Sequence, residues 1–120
     1  MEQVELSFVI PAYNEESFIE DMLESIDAVI AGKHLPYEIV VVDDGSLDRT
    51  LANTVRYAKR NGHVKVVSYP ENVGKGYAVK TGFMQSNGAV VVFADSDMEI
   101  DLSVISEYIE ALKRGYCHSF

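Results

Sequence analysis

The residues best suited to do chemistry form one short run, Phe93-Ala94-Asp95-Ser96-Asp97-Met98-Glu99, in which an apolar stretch ends abruptly in carboxylates. Ala89 to Ala94 reads as a strand buried on both faces, because it is short, rich in β-branched residues and free of polar alternation. The acids then fall at a strand's C-terminal end. Asp95 and Asp97, two apart in an extended segment, project to the same side at about 7 Å, close enough to share a cation and a diphosphate. Such oxygen donors suit Mg2+ or Mn2+ far better than zinc. The same acids could instead only cap the next helix, with Asp101 in that role before Leu102, so the rest of the chain must decide.

The elements that would position this run are legible as four apolar segments, Leu6 to Ile10, Glu38 to Val42, Val64 to Ser68 and Ala89 to Ala94, recurring at the spacing of a βα unit. Helix-period segments lie between them. The pattern predicts an α/β fold: a three-layer, open, mostly parallel sheet of Rossmann-like type with helices on both faces. In the first helical segment Phe18, Ile19, Met22, Leu23, Ile26, Val29 and Ile30 share one face, and the helix closes near Gly32. The second is expected to run from an N-cap at Ser46 to Asn61-Gly62, the third from about Lys75 to Gln85, and the fourth from about Leu102 to Arg114. With a switch point between the first and fourth strands the expected order is 3-2-1-4. That order makes the fourth strand an apolar edge, so self-association as a homo-oligomer is expected.

Composition narrows the partners. The 120 residues form one domain, 1–120, large enough to bury about two-thirds of the unfolded surface. Ten basic residues against nineteen acidic ones give a formal charge of −9, which argues against nucleic acid. A single cysteine, Cys117, excludes an internal disulfide framework, and no apolar run approaches the roughly 20 residues of a membrane span. The N-terminus is acidic where a secretory signal would be basic, so a cytoplasmic location is expected.

In an open parallel sheet, ligands bind beyond the carboxyl ends of the strands. Three such ends here are polar: Pro11-Ala12-Tyr13-Asn14-Glu15-Glu16, Asp43-Asp44-Gly45-Ser46 and Asp95-Ser96-Asp97. Tyr13 offers a flat face and Glu15 an acceptor for a base or ribose, and Asp44 could accept from a base. Each has a plainer alternative: Tyr13 as a core aromatic, Glu15-Glu16 as first-turn acids favoured by the helix dipole, Asp43-Asp44-Gly45 as a turn. On these grounds Tyr13 and Asp44 are expected to sit on a crevice rim and to tolerate removal without loss of the fold. Asn72-Val73-Gly74-Lys75-Gly76 precedes the third helix, where Lys75 could meet a phosphate, although a simple glycine-containing loop has the same composition. No Gly-x-Gly-x-x-Gly follows the first strand and no Walker A sequence occurs. His34, His63 and His118 lack metal-ligand spacing.

These segments resemble the family-2 glycosyltransferases of GT-A type and are most similar to the polyprenyl (dolichyl) phosphate mannosyl- and glucosyltransferases. The resemblance is carried by Val9 to Glu16, by Glu38 to Thr50 (EIVVVDDGSLDRT), by Asn72 to Gly76 and by Phe93 to Asp97, in that order. It implies that Pro11, Ala12, Tyr13, Glu15, Val42 and Asp44 line the base and ribose, and that Asp95, Ser96 and Asp97 contact the nucleotide-sugar and its metal. Glu99 stands where the mannosyl branch usually has Gln and is still an oxygen ligand. Asp95 and Asp97 would then be the catalytic pair, with Mg2+ or Mn2+ held by Asp95, Asp97 and Glu99.

The implied activity is transfer of a hexose from a UDP- or GDP-sugar to an acceptor such as a polyprenyl phosphate. By the same resemblance residues 1–120 are the nucleotide-binding half, an N-terminal portion of a longer enzyme working at the cytosolic face of a membrane. Two other classes also cluster carboxylates in α/β folds. A sugar-1-phosphate nucleotidyltransferase should carry a glycine-rich loop where this chain has Pro-Ala-Tyr, and a receiver-like signalling domain should carry its acid pair after the first strand instead of the second.

Overall fold

The computed structural model describes residues 4–33, 35–94, 107, 110 and 111. Seven elements alternate along the chain: β1 (Leu6–Ala12), α1 (Ile19–Ala31), β2 (Tyr37–Asp44), α2 (Thr50–Arg60), β3 (Val64–Tyr69), α3 (Lys75–Gln85) and β4 (Val90–Phe93). The four strands form one parallel sheet in the order β3-β2-β1-β4, the order expected from right-handed crossovers and a switch point between the first and fourth strands. The expected fourth helix lies outside the described residues.

Strand periodicity divides the core into two. Leu6, Phe8, Ile10 and Ala12 of β1, with Ile39 and Val41 of β2, pack against Ile19, Leu23, Ile26 and Ile30 of α1 and Tyr57 of α2. On the opposite face Val9, Val40 and Val42 meet Ala78 of α3. Here α3 lies very close to the sheet, since a Cβ on Gly82 would stand 2.3 Å from Val9 Cγ1. Only a residue without a side chain fits there.

β1 and β2 are buried along their whole length, which is why they read as uninterrupted apolar runs. β4 differs from the expectation of a strand buried on both faces. Its first three residues are half-buried and Phe93 is exposed. Among the described residues it pairs only with β1.

Two helix starts also depart from expectation. Phe18 occupies the N-cap position of α1 and is 62% exposed, so it does not belong to the apolar face. α2 begins at Thr50, four residues after Ser46. Ser46 lies three residues before the N-cap position, Arg49, and its hydroxyl accepts instead from the Asn14 N–H, at 3.0 Å. Asp48 takes over the local role, accepting from the Thr50 N–H (2.9 Å) and hydroxyl (2.5 Å).

The N-terminal edge of the sheet is fastened by a buried carboxylate. Glu38 Oε2 accepts from Ser7 Oγ and from the Asn87 N–H, both at 2.6 Å, and Ser7 Oγ in turn accepts from the Gly88 N–H at 2.8 Å. Burial pushes the Glu38 pKa up, but these donors, with Lys65 Nζ 3.6 Å from Oε1, outweigh it and hold the group below its ordinary value.

Candidate active site

At the other edge, where β1, β2 and β3 end, three loops meet. The β1–α1 and β2–α2 loops exchange hydrogen bonds in both directions. Asn14 N–H donates to Ser46 Oγ, and the Leu47 N–H donates to Asn14 Oδ1 at 2.9 Å. Glu15 N–H donates to Thr50 Oγ1 at 2.7 Å, while Glu16 N–H reaches Asp48 and the Arg49 N–H returns to Glu16, each at 3.3 Å. Asn14 adopts φ 53, a left-handed turn that Asn tolerates better than most residues. The result is a fixed turn that leaves Tyr13 40% exposed.

Asp48 is held below the ordinary carboxylate range. Partial burial opposes this, and the Thr50 hydroxyl and N–H together with the Glu16 N–H overcome it. None of Asn14, Glu16, Ser46, Asp48 or Thr50 was singled out from residue chemistry as a site residue. The signal that could have found them is the Asp-x-Thr spacing in Asp48-Arg49-Thr50, a side-chain turn at a helix start.

The acid pair at the end of β2 is not on an open rim. Asp43 is buried and accepts from Ser68 Oγ (3.1 Å) and the Ser46 N–H (3.2 Å). Asp44 is 4% exposed, and its carboxylate gathers the β3–α3 loop: Oδ1 accepts from the Val73 N–H at 3.0 Å, and Oδ2 from Asn72 Nδ2 at 2.9 Å and the Gly74 N–H at 3.0 Å. The expectation that Asp44 is a fold-neutral rim residue therefore fails. A buried carboxylate that satisfies two backbone donors cannot be removed without orphaning them.

Gly45, at φ +67, lets this loop close, because a Cβ there would stand 2.3 Å from Asn72 N and Glu71 C. Tyr69 lies beside the same carboxylate. Its hydroxyl is buried, and burial, then hydrogen bonding to Asp44 and the charge of that carboxylate, push its pKa upward.

Other expected site residues are placed as follows. Pro11 and Ala12 are buried within β1 and Val42 is fully buried in the α3-facing core, so the Val42 side chain is a packing group. Glu15 is half-buried at the start of the β1–α1 turn, and Lys75 is the first residue of α3. Asp95, Ser96, Asp97 and Glu99 lie outside the described residues. The strand that leads to them runs parallel to β1, with the Ala94 N–H donating to the Val9 carbonyl at 3.0 Å. Among the described residues no group of three or more His, Cys, Asp and Glu could hold a metal ion. Asp43 and Asp44, with their oxygens engaged by protein donors, do not fit that role.

A parallel sheet in the order β3-β2-β1-β4 with alternating helices is the architecture of an α/β domain of GT-A type. The model of the family described as Glycosyl transferase family 2 matches residues 7–119, and the chain belongs to that family. It is 40% identical over 101 residues to the dolichyl-phosphate beta-glucosyltransferase of Drosophila melanogaster, an alignment covering 78% of this chain and 31% of that protein. Among solved structures, a mannosyltransferase from Pyrobaculum calidifontis in complex with GDP-Man and Mn2+ superposes with TM-score 0.74 at 26% identity, covering 93% of this chain and 33% of that one. TarS of S. aureus in complex with UDP-GlcNAc gives TM-score 0.73 at 31% identity, covering 92% and 32%. The chain thus spans about a third of the length of the relatives it matches. No helix among the described residues is long and apolar enough to cross a membrane.

Proposed function

We propose that this chain forms the nucleotide-sugar site of an inverting glycosyltransferase that moves a hexose from a UDP- or GDP-sugar to a polyprenyl phosphate. The observation that carries the reading is the convergence of the three strand-end loops, with Tyr13 presented at the surface, Asp44 immobilised at the end of β2 and α3 opening at Lys75. Tyr13 and Glu15 would bind the base and ribose, with Pro11, Ala12 and Val42 forming the wall by backbone and packing. The N-terminus of α3 and Lys75 would face phosphate oxygens, to which a helix's positive end and a cation are complementary.

The donor set of Asp95, Asp97 and Glu99 consists of hard oxygens and suits Mg2+ or Mn2+, which when bound would stabilise charge developing on the departing diphosphate. A phosphate acceptor is already anionic near neutral pH, so no general base is required for it. Complexes of relatives with UDP-GlcNAc and with GDP-Man and Mn2+ support this reading.

Calorimetric titration with UDP and GDP, each with and without Mn2+, tests it. Binding of at least one nucleotide is expected, strengthened by Mn2+ and with that dependence lost in Asp97→Ala. Metal-independent binding, or an unaltered Asp97→Ala, would remove the metal assignment, and no binding of either nucleotide would remove the site.

A further inference from the structure

Asn72 is the group that fixes the direction of Asp44. Its Nδ2 donates both to the Asp44 carbonyl (3.0 Å) and to Asp44 Oδ2 (2.9 Å), so one amide bridges the backbone and the carboxylate of the same residue. Gly74 N–H occupies the second site on Oδ2 and Val73 N–H one site on Oδ1. A carboxylate has about four acceptor directions; these three donors fill most of them, and the buried Tyr69 hydroxyl lies beside the same group. The loop that makes these contacts continues directly into α3 through Gly74, at φ 124.

We propose that Asn72 is a positioning residue of the nucleotide site: by bridging the carbonyl and carboxylate of Asp44 it fixes the end of β2 against the loop that delivers Lys75. The inference rests on the nucleotide-site reading above. It separates two roles that the Asn72-Val73-Gly74-Lys75-Gly76 segment otherwise merges. The glycine supplies the backbone conformation, and Asn72 supplies the register between the end of β2 and the start of α3.

The test uses the full chain with UDP and GDP in the presence of Mn2+, comparing wild type with Asn72→Ala and Asn72→Asp by calorimetry and by amide NMR spectra. Asn72→Ala is expected to weaken the nucleotide that wild type binds by about tenfold, the scale of a hydrogen bond to a charged group. Asn72→Asp keeps the size but sets carboxylate against carboxylate, and is expected to weaken it further. In both variants the Val73 and Gly74 amide resonances should shift and lose exchange protection, while amides of β1 and β2 keep theirs. Folded variants that bind as tightly as wild type would overturn the inference and leave the nucleotide site standing. Weakened binding with unchanged Val73 and Gly74 amides would also overturn it, since Asn72 would then act by direct contact. Wild type that bound neither nucleotide would overturn the site reading, and this inference with it.

Discussion

Replacing Glu38 by Gln isolates the fastening at the N-terminal edge of the sheet. The carboxylate sits in β2, paired in register with Ser7 of β1, and reaches past that residue to the Asn87–Gly88 segment that leads into β4. It therefore joins three parts of the chain that are far apart in sequence. Two of its contacts, at 2.6 Å, are short charge-assisted bonds worth about 1.5–3 kcal/mol each, against about 0.5–1.5 kcal/mol for neutral ones. Lys65 is more than a third exposed and adds little. The amide keeps the shape and loses the charge, so the expected destabilisation is about 2 kcal/mol near neutral pH.

The pH dependence has a fixed sign. Folding lowers the Glu38 pKa below its unfolded value of 4.5, so the folded state prefers the ionised form. Its stabilisation is complete above that value and is lost as pH falls through the lower, folded one. Urea melts of wild type and Glu38→Gln between about pH 3 and 7 should converge as the solution is acidified. Parallel pH profiles, or a difference below about 0.5 kcal/mol at neutral pH, would refute the assignment of Glu38 as an ionised structural bolt.

Three further outcomes are expected. Gly45→Ala forces a Cβ into the Glu71–Asn72 backbone at a positive φ and should cost about 2–4 kcal/mol by denaturant melting, together with loss of binding of whichever nucleotide, UDP or GDP, wild type takes. Val41→Ala removes two methyl groups from the fully buried centre of β2 and should cost about 1–3 kcal/mol without changing nucleotide affinity per folded molecule. Tyr13→Ala, at a half-open position on the turn, should leave the melting temperature within about 2 °C of wild type while weakening nucleotide binding measurably by calorimetry.

The sheet was legible because β1 and β2 are buried on both faces, and burial writes itself into sequence as an unbroken apolar run. The order β3-β2-β1-β4 followed from handedness and the place of the polar strand ends. What failed was local. Ser46 has the residue type of a cap but spends its hydroxyl on Asn14, a partner 32 positions away that no window around the helix start includes. Phe18 fits the helical period yet precedes the helix, where its side chain faces outward. Asp44 was recognisable as a group at the strand end. Its burial was not, because the three donors that make a buried carboxylate tolerable come from residues 72 to 74. Val42 shows the reverse: alternation alone assigns it to the core face shared with Val40, whatever its neighbourhood to the site.

Glu38 and Asp44 stand at the two ends of one strand, six residues apart and on the same face, and each grips a segment flanking α3: Asp44 the residues before it, Glu38 those after it. Six strand steps span about 20 Å and eleven helical residues about 16 Å, so strand and helix are matched in length between two anchors. α3 buries only Ala78 and Gly82, so it is strung between its ends more than glued along its side. Inserting or deleting one residue within α3 would turn one end by about 100° relative to the other and unseat a carboxylate from its donors. The outward residues Phe83 and Met84, by contrast, can change without disturbing either anchor, whereas Tyr77 packs edge-on against Tyr69 beside Asp44. The helix is thus a strut of fixed length whose exposed surface is free to vary.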